Sequence, residues 1–251
     1  MSAVLAVSYG GSFAWGAFAA SSLLIGALIA LRFRISLRWI GLIMAFGAGV
    51  LISAVAFDLI QESFDLAGGG GRVVIGLFSG CVVFFVGDEL IGRMGGSERK
   101  KATGTQESSN PLAIVLGAVL DGVPESMVIG LTLIAGDSIG VAYITAVFFS
   151  NLPEGISATR GLTDTGWPRG RVLGLWAVVV AVAAFASLAG YTLLEGASDD
   201  TVAFVQTFAG GAILTMLATT MMPEAYEHGG NRVGIATTLG FATAYAIHVL
   251  A

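Results

Sequence analysis

Long apolar stretches alternate with short polar breaks along the whole chain. About 20 apolar residues in a row are enough for a helix to cross the hydrocarbon core of a bilayer. The pattern predicts about eight transmembrane helices, at about 12–31, 39–61, 73–92, 111–134, 138–159, 171–194, 202–222 and 232–250. We therefore expect an all-α integral membrane protein in which residues 1–251 form a single transmembrane domain.

The polar breaks predict the orientation of the chain in the membrane. The largest, at about 96–110 (GSERKKATGTQESSN), is the only sizeable loop, so we expect no separate soluble domain. Cytoplasmic loops carry an excess of Lys and Arg. If the amino terminus lies outside, 11 of the 12 basic residues fall on the inner side, and only Arg72 does not. This count predicts two extracytoplasmic termini and a cytoplasmic 96–110 loop, in a multi-pass protein of the plasma or inner membrane.

Composition excludes several classes of function. Hydrophobic residues make up 55% of the chain and charged ones only 12%, about half the share of charge in a soluble domain. A single cysteine, Cys81, leaves no disulfide framework and no cysteine-rich metal site. The net charge of −5 comes with no basic patch for nucleic acid. Only two histidines occur, too few for the usual zinc site of an intramembrane metalloenzyme, so we do not expect an enzyme.

Spans 2 and 7 resemble each other at an offset of 162 residues. The stretch that starts at Phe46 (FGAGVLISAVAFDLIQES) aligns with the one that starts at Phe208 (FAGGAILTMLATTMMPEA). In the predicted topology the two spans run in opposite directions, and spans 4 and 5 form a second such pair. Inverted repeats are common in secondary transporters, whose substrate site lies near the midplane. The alternative is that two glycine-rich apolar helices resemble each other by composition alone.

Carboxylates interrupt the apolar character of spans 4 and 5. Asp121 and Glu125 lie four residues apart, as do Ser150 and Glu154, so each pair shares one helix face. A charge at the centre of a bilayer costs several kcal/mol, and such residues usually line a cavity or a pathway. Two such faces turned toward each other would form an oxygen-lined cage for a cation. The alternative is a static bundle in which protonated acids are hydrogen-bonded.

A proline precedes each glutamate, at Pro124 and Pro153. Each proline lacks an amide donor and disturbs the bond to the carbonyl four residues earlier. The carbonyls of Leu120 and Phe149 are therefore further candidates to face a cation or water, since irregular backbone at membrane depth must line a polar cavity.

These motifs resemble those of the ZIP (Zrt/Irt-like protein) family of divalent-metal transporters. The family carries His-Asn-x-Pro-Glu-Gly-like motifs in its fourth and fifth spans; this chain has DGVPES at 121–126 and SNLPEG at 150–155. The end of span 2 and MMPEAYEHGG at 221–230 also resemble the family. The resemblance covers nearly the whole chain and implies eight spans, outside termini and a variable cytoplasmic loop after span 3.

The resemblance also implies a metal site and its cargo. Glu125 and Glu154 would be the primary or bridging ligands, and Asp121, Ser150 and Asn151 would complete the set. The cargo would be a Zn, Mn or Fe-type ion moved toward the cytoplasm, with no prosthetic cofactor. The expected partners are the lipid bilayer, the metal ion and a second copy of the chain in a homodimer, and no nucleic acid.

The chain departs from the family at several positions. Asp121 and Ser150 replace the two family histidines, Gly122 replaces the asparagine of span 4, and span 6 has no glutamate. A site built from oxygen ligands accommodates Mn²⁺ and Fe²⁺ more readily than a site that contains histidine. We therefore expect weaker discrimination in favour of zinc.

Two further clusters are candidate entrance and exit sites, with solvated helix ends as the alternative. Their members are Asp58, Glu62 and Asp65 at the outer end of span 2, and Glu224, Glu227 and His228 at the inner end of span 7. His248, near the outer end of span 8, is interpreted as an interfacial residue. Two other functions stay open: a non-transporting sensor or assembly protein, favoured by the missing histidines, and a proton-linked transporter of another substrate.

Overall fold

The computed structural model describes residues 9–96, 111–135 and 139–250. Helices make up 94% of this part of the chain, which contains no strand, so the predicted all-α class is confirmed. The α-helices are α1 (Tyr9–Arg32), α2 (Leu37–Ala54), α3 (Glu62–Ala67), α4 (Gly70–Ile91), α5 (Pro111–Ala135), α6 (Ile139–Asp164), α7 (Arg169–Leu194), α8 (Asp199–Met216), α9 (Met222–Gly229) and α10 (Val233–Leu250). Three π-helical segments, π1 (Val55–Gln61), π2 (Gly92–Gly96) and π3 (Leu217–Met221), continue these helices, and a 3-10 turn at Gly230–Arg232 separates α9 from α10.

Several helices are suited to cross a membrane, as the sequence predicts. Among the described residues six stretches are long and apolar enough: Tyr9–Arg32, Leu37–Ala67, Gly70–Met94, Val115–Ile134, Arg169–Leu194 and Asp199–Leu250. Helix α6, which carries the polar SNLPEG motif, is not among them. The eight spans, the side of the termini and the loop at about 96–110, nearly all of which lies outside the described residues, stay predictions.

The stretch Asp199–Leu250 contains two membrane-length helical segments and not one continuous helix. A straight helix over its 52 residues would be about 78 Å long, more than twice the hydrocarbon thickness. The chain breaks instead at Gly230, whose φ of 60° and ψ of −155° fit no helix. After this break α10 packs along α2, which α9 also contacts. The break therefore falls between the predicted spans 7 and 8.

The helices form two groups. In the first bundle, α1 packs against α6 and α7, and α7 packs against α5. In the second bundle, α2 packs against α9 and α10, and α4 packs against α8. Contacts of α2 with α6 and of α5 with α8 join the two bundles. The α5 and α6 motifs therefore lie in helices that face the second bundle.

Glycines bring α2 and α10 into direct backbone contact. A Cβ atom at Gly49 would overlap the carbonyl of Thr237, and one at Gly240 would overlap the carbonyl of Phe46. Small residues allow this close approach, which is a main source of helix association in lipid. The two contacts are reciprocal, since each helix contributes one glycine and one carbonyl.

The same reciprocal contact joins α8 and α4. A Cβ atom at Gly211 would overlap the carbonyl of Leu77, and one at Gly80 would overlap the carbonyl of Phe208. Gly211 and Phe208 are the residues that follow their α2 counterparts by 162 positions. Two of the three π-helical segments have the same offset, because π1 begins at Val55 and π3 at Leu217. The repeat seen in the sequence is thus matched by packing and by backbone geometry.

Gly80→Ala should destabilise the protein, because the added methyl group forces α4 away from the backbone of α8. Overpacking of this kind costs about 1–3 kcal/mol, and thermal unfolding of the purified protein in detergent measures it. Gly174→Ala is the matched control: it lies inside α7 with nothing within 4 Å of its added Cβ, and should be neutral or slightly stabilising. Equal melting temperatures for the two variants would contradict the close contact.

Candidate metal centre

Polar groups of α5 lie in the interior of the bundle. Asp121 and Glu125 are 4% and 2% exposed, although they belong to an apolar helix. Pro124 lies between them without ending the helix, which continues to Ala135. Beside them, a Cβ atom at Gly122 would meet nothing within 4 Å, so there is open space next to the motif. Both carboxylates therefore lie in the protein interior and not on the outer, lipid-facing surface; that they line a metal site stays a prediction.

The matching segment of α6 is also interior. Ser150 and Asn151 are buried and Glu154 is half-buried. Pro153 again lies within a continuous helix. The hydroxyl of Ser150 donates a hydrogen bond to the carbonyl of Val147 at 2.9 Å. Because its proton is used in this way, the Ser150 oxygen keeps lone pairs that a cation could use.

Close helix packing fixes the position of this segment. A Cβ atom at Gly47 of α2 would lie 3.1 Å from the Cα of Ser150 and 3.2 Å from the Cγ of Pro153. On another side, a Cβ atom at Gly155 would overlap the carbonyl of Leu23 in α1. The α6 motif is therefore held between one helix of each bundle.

The predicted ligands do not form a closed cage in the structure. Within residues 9–96, 111–135 and 139–250, no three His, Cys, Asp or Glu side chains are grouped closely enough to hold a metal ion. Asp121, Glu125 and Glu154 therefore do not converge on one point, although α5 and α6 contact each other. Any ion bound there has to draw these side chains together or use one carboxylate with hydroxyl and amide oxygens.

Tyr143 is an interior polar residue that sequence reasoning missed. It is fully buried in α6, and its hydroxyl has no hydrogen-bond partner. The carboxylates of Glu125 and Asp58 are close enough to act on this hydroxyl electrostatically. Its spacing of seven residues from Ser150 places both on one face of α6, a signal available in the sequence but hidden by the aromatic character of tyrosine.

The predicted entrance cluster on span 2 divides into buried and exposed members. Asp58, in π1, is 3% exposed and lies 2.6 Å from His248 Nδ1, so His248 has a partner in the interior. Gln206 donates a hydrogen bond to Glu62 at 3.2 Å. Asp65 is exposed and accepts hydrogen bonds from Gln61. Only Asp65 fits the interpretation as a solvated helix end.

The predicted exit cluster on span 7 divides in the same way. Glu224 is 5% exposed and accepts a hydrogen bond of 2.7 Å from Ser157. His228 Nε2 lies 4.0 Å from the same carboxylate. Glu227 is exposed. Since Ser157 follows Glu154 by three residues on α6, this group adjoins the motif along one helix face.

Tyr143→Phe and Ser157→Ala should change stability in opposite directions. Tyr143→Phe removes a buried hydroxyl without a partner, a group that costs about 1–3 kcal/mol, so the melting temperature should stay equal or rise. Ser157→Ala removes a hydrogen bond to a buried carboxylate, worth roughly 1.5–3 kcal/mol, so the melting temperature should fall. A fall of similar size for Tyr143→Phe would mean that its hydroxyl is hydrogen-bonded.

Neither a protein-family model nor any curated protein matches this chain. The resemblance to the ZIP family therefore rests on the motifs of α5 and α6, on the repeat and on the interior position of the polar groups.

Proposed function

We propose that the chain is a ZIP-like transporter of divalent metal cations, which moves Zn, Mn or Fe-type ions toward the cytoplasm through an oxygen-rich site between α5 and α6. The observation that carries the proposal is the burial of Asp121 and Glu125 in one apolar helix and of Ser150 and Asn151 in its partner. Buried acids in membrane helices are costly and commonly mark ion pathways. Carboxylate, hydroxyl and amide oxygens together form a ligand set for a divalent cation.

Polar groups extend from this site in both directions along α6. The buried Tyr143 hydroxyl lies on one side of it, within electrostatic range of Asp58, and on the other side Ser157 donates a hydrogen bond to Glu224. From Tyr143 to Ser157 the helix rises by about 21 Å, most of the roughly 30 Å of hydrocarbon. An ion that follows this face of α6 would meet oxygen or nitrogen groups over most of the distance.

The orientation of the pathway follows from the proposed topology. With the termini outside, the pair Asp58–His248 lies toward the outer surface and the group Ser157, Glu224 and His228 toward the cytoplasm. The first would capture ions and the second release them. The region between 111 and 159 contains no Lys, Arg or His, a composition that favours a cation over an organic anion as cargo.

Glu125→Gln and Glu154→Gln should each reduce metal uptake strongly. Loss of groups that only orient ligands costs about 10–100-fold in metal affinity, so loss of a charged ligand should cost at least as much. Uptake of Zn²⁺, Mn²⁺ and Fe²⁺ into proteoliposomes measures the effect, with Asp121→Asn expected to be milder. Glu89→Gln is the control, since Glu89 is exposed and bonded to Arg93.

The outcomes of this uptake experiment separate the alternatives. Full uptake by both Gln variants would remove these residues from the pathway. Metal binding without uptake by the parent protein would favour a sensor or assembly protein instead. Neither binding nor uptake of any of the three ions would favour a transporter of another substrate.

Asp121→His combined with Ser150→His should shift the preference of the protein toward zinc. Imidazole nitrogen suits Zn²⁺, whereas oxygen ligands also accommodate Mn²⁺. The ratio of Zn²⁺ to Mn²⁺ uptake in competition measures the shift. A parent protein that already prefers Zn²⁺ as strongly as the double variant would contradict the proposed oxygen ligand set.

A further inference from the structure

A basic cavity lies at the end of the first bundle, lined in part by Ile156 and Arg160 of the helix that carries the second metal motif. Its volume is about 560 Å³, and it opens where α1 ends and α7 begins. Four arginines, Arg32, Arg34, Arg160 and Arg169, line it together with one carboxylate, Asp164. Positive charge therefore exceeds negative charge around this cavity.

Among the described residues, only Arg160 of these four arginines is paired with a carboxylate. Arg160 donates a hydrogen bond to the carbonyl of Ile35 at 2.5 Å and lies 3.7 Å from Asp164. Across residues 9–96, 111–135 and 139–250, no ion pair joins Arg34 or Arg169 to an acidic side chain. Both are exposed, so their guanidinium groups are available to an anion.

The ends of two helices add to this preference. Arg169 is the first residue of α7, and the first amides of a helix have no acceptor within it. Such helix ends favour phosphate groups. The guanidinium of Arg32 lies over the ring of Phe33, at 5.4 Å from its centroid, a contact that leaves its N–H edges open. The cavity thus offers donors suited to a phosphate.

An apolar stripe leads to the cavity along the surface of α1. Phe18, Ile25 and Leu28 are 51%, 40% and 51% exposed, and they share one face of a helix that ends at Arg32. Trp39, at the start of α2, is 63% exposed, and exposed tryptophans are typical of the membrane interface. A lipid whose headgroup occupied the cavity would find this stripe for its acyl chains, which a soluble phosphate would not need.

We propose that the cavity binds the phosphate headgroup of an anionic phospholipid from the adjoining leaflet. Arg34 and Arg169 contact the phosphate, Arg32 and Arg160 flank it, and the acyl chains lie along the α1 stripe. Basic pockets between membrane helices are known to hold such headgroups. Because Arg160 belongs to α6, the bound lipid also braces the end of the helix that carries the metal motif. The site does not depend on the proposed transport function.

Native mass spectrometry of the full-length protein in detergent tests this site, with dioleoyl phosphatidylglycerol as the anionic probe and dioleoyl phosphatidylcholine as the neutral one. The parent should retain phosphatidylglycerol in preference. Each arginine near an anionic lipid contributes about fivefold in binding, so Arg34→Gln with Arg169→Gln should lose more than tenfold. Arg171→Gln is the control, because Arg171 lies at the same end but stacks over Trp167 at 4.1 Å and does not line the cavity.

Three results would overturn the proposal. The first is equal retention of the two lipids by the parent. The second is a loss of phosphatidylglycerol binding in Arg171→Gln as large as in the double variant. The third is displacement of phosphatidylglycerol by millimolar inorganic phosphate, which would assign the site to a soluble anion. Melting temperature is measured for each variant. If the double variant unfolds, Arg34→Gln alone serves, because Arg34 lies between α1 and α2, and its expected loss is about fivefold.

Discussion

Acidic side chains buried in an apolar membrane protein need compensation for their charge, and the polar interior of this protein is arranged around that requirement. Asp58, Asp121, Glu125 and Glu224 are each 5% exposed or less. Asp58 lies 2.6 Å from His248, and Glu224 accepts a hydrogen bond from Ser157 with His228 nearby. Asp121 and Glu125 lie in a region without any basic residue between 111 and 159. A divalent cation is the compensation that the proposed function supplies there.

The helices that carry these groups are positioned by backbone contact rather than by large side chains. Reciprocal glycine–carbonyl contacts join α2 to α10 and α4 to α8. The segments π1 and π3 occur at the same offset, and π1 contains the buried Asp58, in agreement with the frequent occurrence of π-bulges at functional sites. Since such contacts tolerate no added atoms, small changes in these glycines should displace whole helices and, with them, the polar groups.

The sequence predicted the all-α class and the long apolar helices, because a chain in lipid has to satisfy its backbone hydrogen bonds within helices. The short helices α3 and α9 were not predicted. The helices extend beyond the predicted spans where charged residues follow, as in Glu62–Ala67. The apolar run stops at the membrane interface, but the backbone stays helical beyond it. The interior acids, Asp121 and Glu125 buried in α5 and Glu154 half-buried in α6, were predicted from their local context. The interior position of Tyr143 and the contact of Asp58 with His248 were not predicted, because they depend on which helices pack together. The π-helical segments were not predicted either, because the hydrophobic pattern does not distinguish them from α-helix.

The central claim is that the Glu125 and Glu154 carboxylates bind a divalent cation in their ionised form. Calorimetric titration of the purified protein with Mn²⁺ or Zn²⁺, in two buffers of different ionisation enthalpy, counts the protons released on binding. Ligands must lose their protons to bind metal, so binding should release protons and weaken as the pH falls. Glu125→Gln should release fewer protons and bind more weakly than the parent. Binding without proton release, at an affinity unchanged in both Glu125→Gln and Glu154→Gln, would contradict the account.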